Sequence, residues 1–309
     1  MKKTVAFFIA FFMMCMPVFG GWVEDNNQSP QSANVGGEWA VIGMNGAGTL
    51  SENTKNAYLN NLESRLKETG GVLSDRKYTE YSRVAIALKS LGENPQAFRG
   101  YNLLQPLSDK EKVGKQGLNG TIFALIALTD TNACSEEYKM QLIDEILAEQ
   151  NPQGAFIYGG QADADVTAMA MCALAPYTDI PRVKEAADKA ADGLSTFVNE
   201  NGCIDSNGVT SESISQSIIG LTALGINPET DSRFVRGGKG LVSRLGDFKA
   251  DGGYSHLKGD GINPMASEQG LCAEAAYKLY NEGKSLYCRK KLPVSQVFAG
   301  LLEVITGEK

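Results

Sequence analysis

Histidine is almost absent from this sequence, because His256 is the only one in 309 residues. A Ser-His-Asp or Cys-His nucleophile would have to use it as the base, and neither a Gly-x-Ser-x-Gly elbow nor a Cys-His signature is present. His256 follows a glycine-rich turn, where we expect a surface loop residue rather than a ligand or a base. The chain also has no Asp-Asp-x-x-Asp cluster for magnesium and no glycine-rich phosphate loop. The sequence therefore predicts no metal site and argues against nucleotide chemistry.

Closely spaced cysteine pairs are missing too. Cys15 lies in an apolar leader, and an odd number of cysteines remains: Cys134, Cys172, Cys203, Cys272 and Cys288. Such a set does not require a disulfide framework, and it leaves open which residues, if any, are paired. Because Cys172 and Cys272 lie within apolar segments, we expect both to be buried.

Positive charge is scarce, since 29 Lys and Arg stand against 36 Asp and Glu. The net charge of −7 opposes phosphate binding, so nucleic acid is not expected as a partner. No apolar run reaches the roughly 20 residues that a membrane-spanning helix needs. Residues 1–20, with Lys2, Lys3 and an apolar stretch, have the pattern of a signal peptide. We therefore expect a secreted or extracytoplasmic protein, in the periplasm or at the cell surface, without a stable membrane span.

Beyond a polar N-terminal segment at 21–34, the chain consists of two alternating kinds of helical segment, which predict one domain over 35–309. Segments of the first kind are apolar on most faces, which is typical of helices buried on all sides. They cover residues 39–47, 82–91, 121–128, 166–175, 215–224 and 266–279. The punctuation Leu-Gly-x-Asn-Pro follows two of them, at 91–95 and 224–228, and is a helix stop signal.

Segments of the second kind carry one apolar stripe at helical spacing, which is typical of helices that cover a core. The stripes are Leu59, Leu62 and Leu66; Tyr138, Leu142 and Ile146; Val183, Ala187, Ala190 and Leu194; and Phe234, Leu241, Leu245 and Phe248. A further helix of this kind is expected at 293–305. Strand signals are sparse. Buried and covering helices that alternate with a period of about 45 residues predict an all-α fold, and small residues such as Ala168 favour closure into an α/α toroid.

A family resemblance supports this prediction. The segment 150–156, Gln-Asn-Pro-Gln-Gly-Ala-Phe, is similar to a degenerate glutamine–tryptophan repeat of squalene cyclases, with Phe156 in place of Trp. Together with segments at 37–42, 78–88, 115–125, 163–170 and 265–269, it makes the chain resemble the bacterial terpene-cyclase/prenyltransferase-like repeat proteins. That resemblance implies a toroid, shared with the helical domain of the cobalamin carriers intrinsic factor and transcobalamin. Because members of this superfamily do unrelated things, function has to be argued from the site.

A candidate site follows from the expected architecture. If the buried helices are parallel, their N-termini open at one mouth and gather polar residues there. The candidate ligand-binding residues are Glu80, Asn119, Asp163, Asp165, Thr167, Ser213, Gln216, Glu268 and Gln269. Any one polar residue at a helix start is explained by capping. Thr167, Gln216 and Gln269 lie a full turn inside their helices, however, and buried amides need partners.

The resemblance to the cobalamin carriers also implies roles for single residues. Their Asp-Thr-Ala-Ala-Met-Ala helix start resembles residues 165–170, and it implies that Asp165, Thr167 and Gln216 bind amide groups of a ligand. Cobalamin is then a possible ligand. We expect no counterpart of the β-rich domain that closes the carriers' site, and His256 matches no cobalt-ligand position. The resemblance thus implies a pocket without fixing its occupant.

Catalytic alternatives are incomplete in sequence. Class II terpene cyclases protonate their substrate with an Asp-x-Asp-Asp motif, but Val166 replaces the last acid in the Asp163–Asp165 segment. Paired carboxylates also cleave glycosidic bonds, usually with several stacking aromatics. Trp39, Tyr78 and Tyr81 are the candidates here, and we expect them to pack in the core.

Three hypotheses follow. The first is a non-catalytic binding module for a polar small molecule, cobalamin-like or otherwise, or for a segment of a partner protein at the cell surface. The second is an enzyme, either a divergent terpene cyclase or a carboxylate-based lyase or hydrolase, in which Asp165 and Asp163 would be catalytic. The third is a structural or protein-interaction repeat domain, which predicts no pocket for a ligand.

Overall fold

The computed structural model describes residues 37–288. The expected signal peptide, the polar segment at 21–34 and the expected helix at 293–305 lie outside the described residues. Within them the chain is mostly helical, which confirms the all-α class. The helices are α1 (Gly37–Ala47), α2 (Glu52–Glu68), α3 (Thr79–Ser90), α4 (Lys110–Gly114), α5 (Gly117–Leu128), α6 (Glu136–Ala148), α7 (Ala164–Leu174), α8 (Pro181–Ser195), α9 (Ser211–Ala223), α10 (Leu241–Gly246) and α11 (Pro264–Asn281).

All six segments predicted to be buried helices are helical, and we call α1, α3, α5, α7, α9 and α11 the apolar helices. Each of them begins two to four residues before its apolar run, and in α7, α9 and α11 a side chain caps the polar first turn. Thr210 accepts a hydrogen bond from the Ser213 amide at the start of α9, and Asn263 accepts one from Ala266 at the start of α11. The capping residues therefore place polar first turns at the edge of the core.

The apolar helices form the core by packing in chain order. Each contacts the next, and α11 contacts α1. Small residues permit the close approach: a Cβ on Gly220 of α9 would lie only 2.6 Å from the carbonyl oxygen of Ala168 in α7. Cys172 and Cys272, which belong to α7 and α11, are 6% and 2% exposed, as predicted. None of the five described cysteines forms a disulfide.

The amphipathic helices cover this core. Helices α2, α6, α8 and α10 each pack against the apolar helix that precedes them in the chain. The stripes on α2 and α8 are buried as predicted, and so are Leu142 and Ile146 on α6, whereas Tyr138 of the α6 stripe is only partly buried. The prediction of one helix through Phe234 and Phe248 is wrong. Helix α10 spans six residues only, because Gly237 and Gly238 adopt φ values of +59° and +76° that end helical continuity. Phe234 and Phe248 are nevertheless buried.

Two short hairpins precede apolar helices. Strand β1 (Ile157–Tyr158) pairs antiparallel with β2 (Gln161–Ala162) before α7, and β3 (Lys249–Ala250) pairs with β4 (Gly253–Tyr254) before α11. The same hydrogen bond fastens both hairpins to the following helix: the Phe156 amide donates to Thr167 Oγ1, and the Tyr254 amide donates to Ser267 Oγ, each at 2.9 Å. These bonds fix the position of each hairpin relative to the start of the helix that follows it.

Candidate functional site

Two neighbouring cavities open near the N-terminal ends of the apolar helices. The first, which we call the aromatic cavity, has a volume of about 450 Å³ and is lined by Trp39, Thr79, Arg83, Gln116, Asn119, Phe123, Tyr158, Met169, Gln216, Gln269, Cys272 and Tyr287. The second, which we call the acidic cavity, measures about 470 Å³ and is lined by Asp163, Asp165, Ser206, Asn207, Gly208, Thr210, Glu212, Ser213, His256, Asn263, Met265 and Gln269. Gln269 lines both. The two volumes fall within the range of small-molecule sites.

Aromatic rings form one side of the aromatic cavity. Trp39 packs against Phe123 with ring centroids 5.6 Å apart, and against Tyr287 at 6.1 Å. The expectation that Trp39 packs in the core is therefore only partly right, because its ring is half-buried and faces this cavity. Tyr78 and Tyr81 are buried in the core as predicted. The cavity thus offers flat apolar surface of the kind that binds rings and aliphatic faces.

Amide side chains supply the polar groups of the aromatic cavity. Gln116 accepts a hydrogen bond from the Thr79 amide and donates to the Thr79 hydroxyl, both at 2.9 Å, and so joins α5 to α3. Gln216 of α9 donates to Gln269 of α11 at 3.1 Å. Asn119 Oδ1 is buried without a hydrogen-bond partner in the described structure. A buried acceptor of this kind is costly unless a ligand or water meets it.

A buried ion pair stands beside the aromatic cavity. Arg83 lines the cavity and donates to Oε2 of Glu38 at 3.1 Å, while Oε1 of Glu38 has no hydrogen-bond partner among the described residues. Burial raises the pKa of Glu38 to about 7, against the opposing charge of Arg83. Burial, with the charge of Glu38, raises the pKa of nearby Glu268 to about 8. The group therefore holds protons at neutral pH that exposed carboxylates would have lost.

The acidic cavity gathers carboxylates from two helix starts. Asp163 caps α7, where its Oδ1 accepts from the Val166 amide at 2.8 Å. Asp165 lies in the first turn of the same helix, and its Oδ1 is buried without a hydrogen-bond partner in residues 37–288. Burial raises the pKa of Asp165 to about 6, and the charges of Asp163 and Glu212 add to this, although a hydrogen bond from Ser213 opposes it. Asp165 is thus ready to exchange a proton near neutral pH.

Glu212 and His256 form a pair in the acidic cavity. Nδ1 of His256 lies 3.0 Å from both carboxylate oxygens of Glu212, which is 8% exposed. Ser211 fixes both partners: its hydroxyl donates to the Ser255 carbonyl at 2.7 Å, and its amide donates to the His256 carbonyl at 3.1 Å. With Nδ1–H donating to Glu212, the other ring nitrogen remains an acceptor, which is the arrangement of an oriented base.

The structure brings six of the nine predicted ligand-binding residues to the cavities. Asn119, Gln216 and Gln269 line the aromatic cavity, and Asp163, Asp165, Ser213 and again Gln269 line the acidic one. Glu80, Thr167 and Glu268 line neither. Thr167 is fully buried, and its hydroxyl donates to the Asp163 carbonyl at 2.6 Å while it accepts from Phe156. Its position is thus explained by the hairpin attachment that Ser267 repeats.

Sequence reasoning missed the Glu212–His256 pair and the cavity role of Trp39. His256 is half-exposed in a loop, as predicted, but the loop returns it to the start of α9, 44 residues earlier in the chain. One signal was available in the sequence. The glycine turn at 252–254, before His256, resembles the turn at 154–156, before Asp163, so the segments that follow the two turns should reach the same mouth. The distance to Glu212 depends on how the His256 loop packs against the start of α9, and neither segment of the sequence predicts it.

Neither metal binding nor membrane insertion has direct support in the described part of the chain. No group of three or more His, Cys, Asp and Glu side chains in residues 37–288 is arranged to hold a metal ion. No helix in that range is long and apolar enough to cross a membrane. A comparison with protein-family models and with curated proteins matched none of them.

Proposed function

We propose that this protein is an exported, non-catalytic binding module, built as an α/α toroid, that holds a small polar molecule in the two cavities. The succession of contacts from α1 through α11 and back to α1 supports the closed arrangement. In such a toroid the N-termini of the apolar helices meet at one mouth, and the cavity-lining residues come from near those ends. Helix N-termini also supply amide donors and positive potential to a ligand.

The observation that carries this proposal is the unpaired amide oxygen in a preformed cavity. Asn119 Oδ1 is buried without a hydrogen-bond partner among residues 37–288, and Gln216 hydrogen-bonds Gln269, the residue that lines both cavities. A ligand with amide or hydroxyl groups would satisfy Asn119 and exchange the Gln216–Gln269 bond for contacts of its own. The half-buried rings of Trp39 and Phe123 would pack against its apolar surface.

Replacement of the amides should abolish this binding. Native mass spectrometry of the protein purified from its own host is expected to show a bound small molecule, and Asn119→Leu with Gln216→Leu should lower its occupancy strongly. Each change leaves a polar group of the ligand without a partner. We expect this to cost about 1–3 kcal/mol of binding free energy, which is a loss of about 5- to 150-fold in affinity. Gln141→Leu, an exposed amide on α6, is the matched control. A wild-type spectrum without ligand, or equal occupancy in the double variant, contradicts the proposal.

The resemblance to cobalamin carriers gives the ligand search a first candidate. A corrinoid carries several amide arms, which suit the amide-lined cavity, but each cavity by itself is of drug-sized volume. A corrinoid would therefore have to extend out of one cavity or across both. An ultraviolet-visible spectrum of the purified protein tests this, since the corrin absorbs where polypeptide does not.

A second candidate function is acid–base catalysis, favoured by the Glu212–His256 pair beside Asp165. A base oriented by a carboxylate and a carboxyl group whose pKa is about 6 are the two partners that a hydrolase or lyase needs. If the protein turns over a glycan or polyprenyl substrate, Asp165→Asn should lower kcat by about 100-fold or more with an unchanged circular dichroism spectrum. Unchanged turnover in that variant would remove Asp165 from the mechanism.

The third hypothesis, a purely structural or interaction repeat, is less well supported. It predicts no cavity large enough for a ligand, whereas two cavities of about 450 and 470 Å³ are present. Several large apolar side chains are exposed, among them Tyr158 and Met265, and both lie at the rims of these cavities. Their position is compatible with contact to a ligand as well as to a partner.

A further inference from the structure

The lining of the acidic cavity has a strong imbalance of charge. Asp163, Asp165 and Glu212 contribute three carboxyl groups, while His256 is the one basic side chain among the described lining residues. Asp163 accepts the capping bond of α7, and Glu212 accepts from His256. Neither Asp163 nor Asp165 belongs to an ion pair within the described chain. The potential in this cavity therefore favours a cation.

Asp165 has unused hydrogen-bonding capacity. Its Oδ1 is buried with no donor in reach among residues 37–288, although a carboxylate in a low-dielectric setting gains most from charged donors. The neighbouring Ser213 hydroxyl accepts from Thr210 at 3.1 Å, so its own hydrogen is available to Asp165. One donor does not saturate a carboxylate, which has about four acceptor sites.

The two cavities adjoin at Gln269. Gln269 lines both, and Gln216, its hydrogen-bond partner, lines the aromatic cavity. The acidic groups therefore lie on one side of this pair, and the rings of Trp39 and Phe123 lie on the other. A single molecule that crosses the pair would meet carboxylates at one end and amides with aromatic rings at the other.

We propose that the acidic cavity binds the primary ammonium group of a ligand whose amide-bearing body occupies the aromatic cavity. This assignment rests on the proposed binding function and names its ligand class. An ammonium group has three donors and no acceptor, which matches a cavity of carboxylate acceptors at Asp163, Asp165 and Glu212. Metal binding is a poorer match, because no group of three described side chains has the arrangement of a metal site.

Ammonium binding should be coupled to a proton. The carboxyl of Asp165 faces Asp163 on its own helix, Glu212 and Ser213 at the start of α9, and the cavity that His256 also lines. The two acidic neighbours oppose its ionisation, and a ligand cation would favour it. Binding at pH 6, where the Asp165 carboxyl is about half protonated, should therefore release up to about half a proton, and the affinity should fall as the pH drops below about 6.

The test is isothermal titration calorimetry with two probes that share their ring and amides and differ at the amino terminus, which is charged in one and acetylated in the other. Phenylalanyl-alanine amide has a free amino group, and its N-acetylated form retains the ring and the amides without the ammonium. At pH 7.5 we expect the free-amine probe to bind about 10-fold more tightly or better, the difference of roughly one charge-assisted contact. Asp165→Asn should remove the preference, and Asp251→Asn, at an exposed turn position, should keep it. Titrations at pH 6 in two buffers of different ionisation enthalpy measure the proton release.

The outcomes separate this assignment from the proposed function. Equal affinity for both probes, or no binding of the free-amine probe, overturns the ammonium assignment. If both bind equally and Gln216→Leu weakens both, the binding function stands and only the assignment fails. If the free-amine probe is preferred in Asp165→Asn as well, the cation binds elsewhere and the assignment is wrong.

Discussion

Gly154→Ala is expected to destabilise the protein by about 3–5 kcal/mol. Gly154 adopts φ +98°, and a Cβ at this position would lie 2.6 Å from the carbonyl carbon of Lys189 on α8. Two costs therefore add: backbone strain of a non-glycine residue at positive φ, and overlap with the backbone of a packed helix. The turn cannot retreat, because Gln150 Nε2 donates both to the Gly154 carbonyl at 2.9 Å and to the Ala186 carbonyl of α8 at 2.8 Å.

Gly159→Ala is the matched control for this prediction. Gly159 has φ +60° in the nearby β1–β2 hairpin, but nothing lies within 4 Å of its added Cβ. Gly159→Ala should lower the free energy of unfolding by only about 1–2 kcal/mol, because it adds backbone strain without an overlap. Urea denaturation followed by circular dichroism measures both. Equal losses in the two variants would mean that the contact between the turn and α8 is not formed.

Stability should decline as the pH rises from about 5 to 9. The pKa values of Glu38 and Glu268 are raised to about 7 and about 8, and that of Asp165 to about 6, so the folded chain binds more protons than the unfolded chain above pH 4.5. Their stabilising contribution is complete below pH 4.5 and is lost as the pH passes the folded-state values. At about 1.4 kcal/mol per pKa unit, the decline should amount to several kcal/mol. Carboxyls with lowered pKa, such as Asp231, titrate below this range.

Glu268→Gln tests the assignment of that decline. The variant has the same shape without a titrating carboxyl, so it should be more stable than the wild type at pH 9 by roughly 1–2 kcal/mol and should flatten the profile between pH 7 and 9. Glu185→Gln is the control. A hydrogen bond from Lys189 lowers the pKa of this exposed α8 carboxyl, so the group does not titrate between pH 7 and 9. A Glu268→Gln profile that parallels the wild type would place the titrating groups elsewhere.

The helices could be predicted because their signals are local. Apolar runs, capping residues and glycine stops determine where α7, α9 and α11 lie to within a few residues. The same rules failed around α10, where a stripe at helical spacing continues across Gly237 and Gly238. Both glycines adopt left-handed backbone there, and a Cβ on Gly240 would lie within 2.6 Å of the Glu229 backbone. Phe234 is buried although it does not lie in a helix, so its apolar side chain is removed from water without the helix that the stripe predicted.

The candidate site was predictable only in part, because it depends on contacts between segments that are distant in the sequence. Polar residues at the starts of apolar helices point to a shared mouth, and Asp165, Gln216 and Gln269 were found in this way. Whether such a residue faces a cavity or serves the backbone depends on its neighbours. Thr167 and Gln216 both lie inside helices, but Thr167 meets the Phe156 amide while Gln216 meets another side chain.

The sequence by itself determined the helical class, the alternation of apolar and amphipathic segments, and the burial of Cys172 and Cys272. These properties follow from the order of apolar and polar residues along one segment. Only the tertiary structure decided that Asn119 Oδ1 lacks a hydrogen-bond partner in the described part of the chain, that Glu38 is buried with Arg83, and that His256 contacts Glu212. Each of these contacts joins segments about 40 residues apart or depends on burial by several helices, and local pattern carries no information on such distances.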